Sequence, residues 1–287
     1  MKLSLGFSPC PNDTFIFDAL VNKKIDTGDF EFDLILEDVQ TLNELAIDKK
    51  HDILKISYAT LPLVLDDYIA LRSGGALGKG VGPLLISKVP IPDPAVRQCI
   101  VAVPGQHTTA NVLFSLAYPE ATHKVYLRYD KIEDFVLSTE EETGDPSKYK
   151  LGVIIHENRF TYEEKGLTNV ADLGEIWEKQ TGFPIPLGCI IIRRNIDQRT
   201  KYQIQQLIRE SIDYARREYP RLSDFIVSNA KEMAESVMRQ HIDLYVNEFT
   251  EEVGTDGQAA VEKFIRVHSS INKLDVSISD IFLRQTV

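Results

Sequence analysis

Residues 2–20 read KLSLGFSPCPNDTFIFDAL, and this stretch decides the fold class. Residues 2–7 alternate between apolar and polar side chains, which predicts a short β-strand. The prolines and turn formers of residues 8–13 end that strand in a loop. From residue 13 or 14 onward the apolar residues recur at helical spacing, and Asn12 or Asp13 is available as the helix N-cap. The chain therefore opens as a strand, a proline-rich loop and a helix, which is the first unit of an α/β fold.

The alternation of strands and helices continues along the chain and then gives way to helices. We predict an α/β fold with two lobes around a cleft, in which residues 1–95 and 194–287 form the larger lobe and residues 96–193 form the smaller one. A cleft between lobes is the natural ligand site. Further strands are predicted at residues 30–37, 53–56, 84–87, 99–103, 125–129, 151–155 and 187–192, and further helices at residues 39–47, 108–116, 201–219, 233–249 and 258–268.

The composition is that of a soluble globular protein. Of the 287 residues, 43% are hydrophobic and 26% are charged, which excludes a disordered or fibrous chain. The 32 Lys and Arg residues against 43 Asp and Glu residues give a net charge of −11 at neutral pH. This acidic balance repels phosphate backbones and anionic membrane surfaces, and no basic cluster interrupts it. We therefore expect neither nucleic acid nor a membrane as a partner.

The cysteine pattern and the N-terminus favour a reducing compartment. Cys10, Cys99 and Cys189 are widely spaced and odd in number, which suits neither a disulfide framework nor a zinc site. Residues 1–7 run straight into turn residues and contain no apolar stretch of signal-peptide length. These features predict a cytoplasmic protein without structural disulfides.

Two polar segments lie where predicted strands end, which is where open α/β sheets bind their ligands. The proline-rich loop follows the first strand, and Ser8 and Asn12 are its candidate ligand contacts. Lys55 and Ser57 flank Ile56 at the end of a later strand, and the period of two places both polar side chains on one face. The alternative for Lys55 is an ordinary surface lysine.

The start of the helix predicted at residues 108–116 is a candidate anion site. Residues 104–110 connect a strand to this helix, whose first N–H groups are unpaired and positively polarised. The hydroxyl groups of Thr108 and Thr109, together with the N–H groups as far as Ala110, would hold a carboxylate or a phosphate. The alternative is that Thr108 only caps the helix, because threonine is favoured there in any case.

His156 follows an apolar strand and precedes Glu157, which is where a general base would sit. Burial would lower the pKa of this histidine and the carboxylate of Glu157 would raise it, and the sequence leaves open which effect is larger. The alternative is a purely structural histidine. The other histidines show no metal-ligand spacing, and we therefore predict no metal: His51, His107, His123, His241 and His268.

Three further segments carry weaker signals. Residues 74–82 contain five glycines but lack Ser or Thr after the lysine and precede a strand, so they do not match a phosphate loop. Cys10 lies between prolines without a base visible in the sequence, which favours the wall of a pocket over a nucleophile. Residues 138–148 are polar and contain Gly and Pro, which predicts an exposed loop.

Four motifs together resemble the 1,4-dihydroxy-6-naphthoate synthase family of the futalosine route to menaquinone. Shorter matches at residues 187–188 and 245–247 extend the resemblance over nearly the whole chain. The segment at residues 138–148 is longer than the usual connection in that family. The four motifs are LGFSPCPNDTF at residues 5–15, LRSGGALG at residues 71–78, VPGQHTTA at residues 103–110 and IIHENRF at residues 154–160.

The resemblance implies a periplasmic-binding-protein-like fold of type II and a cytoplasmic carbon–carbon lyase. The family converts cyclic dehypoxanthine futalosine to 1,4-dihydroxy-6-naphthoate and releases a ribose-derived fragment, without a cofactor. Its base corresponds to His156, and its ligand contacts correspond to residues 55–57 and to Thr109 and Ala110. We expect the substrate carboxylate at the helix start that includes Thr108, and the 55–57 segment at the other end of the substrate.

Two alternatives stay open. A solute-binding or sensor protein can share this fold, but it is expected to carry an export signal or lipidation site, or a DNA-binding module in the case of a transcriptional sensor. The chorismate dehydratase-type enzyme of the same pathway is the nearest enzymatic alternative. The sequence also leaves the oligomeric state open, a homodimer included.

Overall fold

The computed structural model describes residues 1–139, 145–231, 234–276 and 280–284. In this part of the chain, no helix is long and apolar enough to cross a membrane. The strands are β1 (Lys2–Phe7), β2 (Glu31–Leu36), β3 (Ile53–Ser57), β4 (Tyr68–Ala70), β5 (Ala76–Gly78), β6 (Leu84–Ser87), β7 (Ile100–Val103), β8 (Lys124–Tyr126), β9 (Lys150–Ile154), β10 (Thr168–Asp172) and β11 (Ile185–Arg193). The helices are α1 (Pro11–Val21), α2 (Val39–Ile47), α3 (Leu61–Val64), α4 (Thr109–Ala117), α5 (Ile132–Leu137), α6 (Asn158–Thr161), α7 (Leu173–Thr181), α8 (Gln198–Glu218), α9 (Asp224–Asn229), α10 (Glu235–Tyr245), α11 (Glu248–Glu251) and α12 (Gly254–Asn272).

Two predicted segments fall partly outside the described residues. Residues 140–144 of the polar segment 138–148 lie outside them, and so does residue 233, where one predicted helix begins. The described part of that helical region forms α10 and α11, which are separated by a break at residues 246–247.

The first sheet has the strand order β2-β1-β3-β11-β4, and β5 also pairs with β11. β1 runs parallel to β2 and β3, so that Leu5 lies opposite Leu34 on one side and opposite Ile53 on the other. β11 runs antiparallel to its neighbours β3, β4 and β5. Because β1 and β3 are parallel, their carboxyl ends lie at the same edge of the sheet, and the loop after β1 meets the end of β3 there.

The second sheet has the strand order β10-β6-β9-β7-β8. β7 runs parallel to β8 and β9, whereas β6 runs antiparallel to β9 and β10. The loop from β7 to α4 and the loop from β9 to α6 therefore leave the same edge of this sheet. The first loop leads to the start of α4 at Thr108 and the second contains His156, which are two of the candidate site positions from the sequence analysis.

The described chain crosses between the sheets at positions that differ from the predicted lobe boundaries. β5 lies in the first sheet and β6 in the second, so residues 79–83 make one crossing, and residues 182–184 make the return before β11. The boundaries at residues 96 and 193 would place β6 and β11 with the other sheet. The end of the glycine-rich segment connects the first sheet to the second. The proline-rich residues 89–94 come later, between β6 and β7, which both belong to the second sheet. The two lobes as separate folding units stay a prediction.

The first helix starts earlier than the sequence predicted. α1 begins with Pro11, and Cys10 is its N-cap residue, without a side-chain cap hydrogen bond. Proline suits the first helical position because its missing N–H has no intrahelical partner there. Asn12 and Asp13 lie inside the helix rather than at its cap, so the predicted caps are wrong.

Buried apolar side chains form one cluster that extends from the first sheet to the second. Ile56 of β3 and Val103 of β7 belong to it, together with Trp177 of α7 and Phe264 of α12. Separate clusters lie under α1 and α8 on the first sheet and under α5 on the second. The shared cluster fixes the edges of the two sheets relative to each other, because close-packed interiors deform little.

Asn43 of α2 connects the two sheets with hydrogen bonds. Its Oδ1 accepts a 2.9 Å hydrogen bond from the N–H of Ser57, at the end of β3, and its Nδ2 donates a 3.0 Å hydrogen bond to the carbonyl of His107, before α4. Gln40 approaches the same loop so closely that a Cβ on Gly105 would lie 2.2 Å from its Oε1. The loop before α4 is therefore held against α2 and β3 by a fully buried amide.

We predict that Asn43→Ala lowers the free energy of unfolding by at least about 2 kcal/mol, because the buried N–H of Ser57 loses its acceptor and the carbonyl of His107 loses one donor. Chemical denaturation measures this loss. Asn169→Ala, at an exposed position of β10, is the control and should stay within about 0.5 kcal/mol of the original protein. Equal effects of the two substitutions would contradict the role of Asn43.

Candidate active site

A cavity lies between the two sheets, where β3 ends and α4 begins. Its walls combine apolar side chains with a few polar groups, which is typical of small-molecule sites in proteins. The residues that the sequence analysis selected come from both sheets and meet here, although their individual roles stay predictions. Those that line the cavity are Ser8, Asn12, Lys55, Ile56, Ser57, Thr108, Thr109, Ala110 and His156.

A buried ion pair forms the floor of the cavity on the side of the first sheet. Nζ of Lys55 lies 2.5 Å from Oδ1 of Asp13, and both side chains are less than a tenth exposed. Asp13 also accepts a 2.7 Å hydrogen bond from the hydroxyl of Ser8 and a 2.8 Å hydrogen bond from Nδ2 of Asn12. The ammonium of Lys55 has no well-aligned hydrogen-bond acceptor among the described residues. Asp13 therefore anchors Lys55, and the N–H donors of Lys55 that point away from Asp13 are available to a ligand.

Ser57 and Thr109 join the end of β3 to the start of α4. The hydroxyl oxygen of Ser57 accepts a 2.7 Å hydrogen bond from the N–H of Thr109 and lies 2.9 Å from its hydroxyl. Thr108 is the N-cap residue of α4, since its hydroxyl accepts from the N–H of Asn111 and donates to the carbonyl of Gly105. Thr108 therefore caps the helix, and a ligand contact of the same residue stays a prediction.

His156 has a left-handed backbone conformation, with φ of +57°, in the loop after β9. Such a conformation is uncommon outside glycine and is concentrated at functional sites. Nδ1 of His156 lies 3.6 Å from Sγ of Cys10, and the ring of Tyr129 packs edge-on at a centroid distance of 5.0 Å. Nε2 of His156 is buried and has no hydrogen-bond partner among the described residues. One nitrogen is thus held by the first sheet's loop, and the other is free to act.

Burial lowers the pKa of His156 from its ordinary value, and this effect exceeds the opposing effect of the carboxylates of Glu157, Asp13 and Asp38. The question that the sequence left open is therefore answered in favour of burial. At neutral pH the imidazole is mainly uncharged, which is the form that a general base requires.

His241 and Tyr245 line the cavity from α10, and the sequence analysis did not select them. They lie one helical turn apart, on the face of α10 that is buried. The sequence signal that could have identified His241 is its position on an otherwise apolar helical face. That position predicts burial, but only the tertiary structure shows that His241 lies beside His156, with the ring centroids 6.1 Å apart.

Cys10, His156 and Glu157 are a group whose potential metal-binding atoms lie within 4.8 Å of one another. Burial raises the pKa of the Cys10 thiol well above its ordinary value, and the charge of Glu157 acts in the same direction. The thiolate rather than the thiol binds metals, and the raised pKa keeps Cys10 protonated. This group is therefore poorly suited to binding a metal ion. The absence of a metal stays a prediction.

The glycine-rich segment does not form a loop around a ligand. Residues 76–78 of this segment form β5, which pairs antiparallel to β11. Gly74, with φ of +82°, lies against Ile190, whose side chain would be 2.1 Å from a Cβ at this position. Close packing against β11 accounts for this glycine without a bound phosphate.

Comparison with known proteins places this chain in a family. The family described as menaquinone biosynthesis matches residues 3–270. A relative from Thermus thermophilus named 1,4-dihydroxy-6-naphthoate synthase is 43% identical over 261 residues, which cover 91% of this chain and 92% of the relative.

Solved structures confirm the fold class. A crystal structure of an Archaeoglobus fulgidus protein is 29% identical, with a TM-score of 0.86 and coverage of 96% of this chain and 98% of that chain. The periplasmic aliphatic sulphonate binding protein SsuA of Escherichia coli is 11% identical, with a TM-score of 0.67 and coverage of 99% of this chain and 92% of that one. The second likeness shows the periplasmic-binding-protein-like fold alone.

We predict that Lys55→Met lowers the free energy of unfolding by about 3–5 kcal/mol, because the carboxylate of Asp13 stays buried without its cation. Adding Asp13→Asn should recover most of this loss, since the amide is uncharged. Urea denaturation of the three proteins measures both effects. Lys179→Met, which breaks the exposed ion pair with Glu175, is the control and should cost less than about 1 kcal/mol. A loss of that small size for Lys55→Met would contradict the account.

Proposed function

The chain belongs to the menaquinone biosynthesis family, and we propose that it converts cyclic dehypoxanthine futalosine to 1,4-dihydroxy-6-naphthoate with release of a ribose-derived fragment. The observation that carries the proposal is a half-buried histidine, His156, whose uncharged ring lines the cavity beside the buried cation of Lys55. This reaction removes a proton from carbon and then breaks a carbon–carbon bond, and formation of the aromatic ring drives it forward. A neutral imidazole in a largely apolar cavity suits both steps.

His156 acts as the base through Nε2 in this proposal. When the proton of the neutral ring is on Nδ1, this N–H points to the sulfur of Cys10, and the lone pair of Nε2 faces away from it. Nε2 takes the proton from the substrate carbon, and the resulting imidazolium returns a proton to the departing fragment. Cys10 serves as the acceptor that orients the ring rather than as a nucleophile, since its thiol stays protonated.

The carboxylates near His156 stabilise the protonated ring after proton transfer. Glu157 and Asp13 both favour the imidazolium, although burial outweighs them in the resting state. His156 is therefore neutral before the reaction. When it becomes protonated, the carboxylates of Glu157 and Asp13 stabilise its positive charge.

The expectation that residues 55–57 lie at the opposite end of the substrate from the start of α4 is wrong, because Ser57 and Thr109 are in direct contact. In this proposal, the substrate carboxylate therefore binds near both Lys55 and the start of α4. The N–H donors of Lys55 have no aligned acceptor, and the N–H of Ala110 belongs to the first helical turn, which has no intrahelical acceptors. The hydroxyls of Ser57 and Thr109 are bonded to each other, and they shape this end of the cavity. Apolar side chains provide the walls for the forming aromatic ring: Leu42, Val81, Pro83 and Leu187.

Family membership supports an enzyme over a solute-binding or sensor protein, and the relative from Thermus thermophilus supports the naphthoate-forming enzyme over the chorismate dehydratase type. A small carboxylate-bearing molecule as the substrate, independence of cofactors, a cytoplasmic location and a homodimer stay predictions.

We predict that purified protein treated with a chelator forms naphthoate from cyclic dehypoxanthine futalosine, and that His156→Asn lowers kcat by about 10²–10⁴-fold. Asparagine tolerates the left-handed backbone at this position, so the fold should persist. Absorbance and mass spectrometry follow the product. His123→Asn, at an exposed position, is the control with unchanged turnover. Full activity of His156→Asn would refute the assignment of the base, and no product from the original protein would refute the function.

We predict that kcat/KM falls as the pH drops through the pKa of His156, below the ordinary value of about 6.5, because protonation removes the base. Glu157→Gln removes a carboxylate that raises this pKa, so the acid limb of the profile should move to lower pH. Glu164→Gln, on the exposed turn nearby, should leave the limb in place. Steady-state kinetics over a pH series measures the profiles, and a limb that moves to higher pH in Glu157→Gln is incompatible with this account.

A further inference from the structure

His241 is a buried histidine that the proposed reaction steps have not used. It is 0% exposed, lines the cavity from α10 and packs against the ring of Tyr245 at a centroid distance of 4.6 Å. Both of its ring nitrogens lack a hydrogen-bond partner among the described residues. A buried polar group without a partner is unfavourable by about 1–3 kcal/mol, so we expect a group from outside the described residues to bind this histidine.

A second unpartnered atom faces the same nitrogen. Nε2 of His241 lies 3.9 Å from Oε2 of Glu157, which is also buried without a hydrogen-bond partner. This separation is too long for a direct hydrogen bond. Burial and the neighbouring His156 and Lys55 lower the pKa of His241 well below its ordinary value, so the ring is uncharged and offers one donor and one acceptor.

A hydroxyl group fits this pair of atoms chemically. Its oxygen can accept a hydrogen bond from Nε2–H of His241, while its proton is donated to the carboxylate of Glu157. A separation of 3.9 Å allows one oxygen to lie about 2.8 Å from each atom. His241 lines the cavity and Glu157 does not, and both atoms are buried, so the two side chains must move slightly to admit the hydroxyl. An anion would be repelled by Glu157, and an apolar group would leave both atoms unpaired.

We propose that His241 and Glu157 bind a hydroxyl group of the sugar-derived part of the substrate, an inference that rests on the function proposed above. His241 stacks beside His156 at 6.1 Å between centroids, so this contact places the polyhydroxylated fragment next to the base. The carboxylate end lies at Lys55. The pair therefore sets the orientation of the substrate and favours molecules that carry a hydroxylated substituent over those that lack it.

A contact between His241, Glu157 and the sugar-derived hydroxyl distinguishes substrate from product. Cyclic dehypoxanthine futalosine carries the sugar-derived hydroxyls, whereas 1,4-dihydroxy-6-naphthoate has lost them with the departing fragment. A contact to these hydroxyls therefore strengthens substrate binding and not product binding. A purely structural role of His241 in packing α10 would affect both ligands alike.

Calorimetric titration in the His156→Asn background measures substrate affinity without turnover. We expect His241→Phe in this background to weaken binding of cyclic dehypoxanthine futalosine at least about tenfold, and to change the dissociation constant of the naphthoate by less than about twofold. His241→Asn, which keeps a donor and an acceptor, should recover part of the loss and serves if the phenylalanine variant fails to fold. His123→Asn is the matched control, with both affinities unchanged.

Equal losses for the two ligands would overturn the inference in favour of a structural role. Unchanged binding of both ligands would also overturn it, because a water molecule would then suffice between His241 and Glu157. Failure of the His156→Asn protein itself to bind cyclic dehypoxanthine futalosine would contradict the proposed function and remove this inference with it.

Discussion

The buried ion pair between Lys55 and Asp13 is the interaction on which the site depends. It fixes the end of β3 to the first turn of α1, and Asp13 holds the loop after β1 through Ser8. Cys10 of that loop in turn contacts His156 from the second sheet. Removing two charges from water is unfavourable by several kcal/mol per ion, so the pair is better explained by the orientation that it imposes than by stability.

The second constraint is the contact between the sheets. A continuous apolar cluster and the hydrogen bonds of Asn43, Ser57 and Thr109 hold the start of α4 against β3. Ser57 and Thr109 also line the cavity. The contact that holds the two sheets together therefore also shapes the wall of the site.

Local patterns in the sequence were sufficient for much of the site. Polar residues after strands pointed to Ser8, Lys55 and His156, because parallel strands bring their carboxyl ends to one edge. The role of Asp13 was missed because its partner is distant in the sequence, and periodicity reports only local structure. The chain crosses between the sheets at residues 79–83 rather than near residue 95, and local patterns do not reveal this because sheet membership depends on long-range pairing. His241 was missed because its neighbours in the cavity come from other elements.

The central claim is that the substrate lies between the sheets with its reacting carbon at His156. A crystal structure of the His156→Asn protein with cyclic dehypoxanthine futalosine tests this claim most directly. The account predicts the carboxylate at Lys55 and Ala110 and the sugar-derived part between position 156 and His241. A substrate bound outside the cavity, or bound in the reverse orientation, would contradict the account.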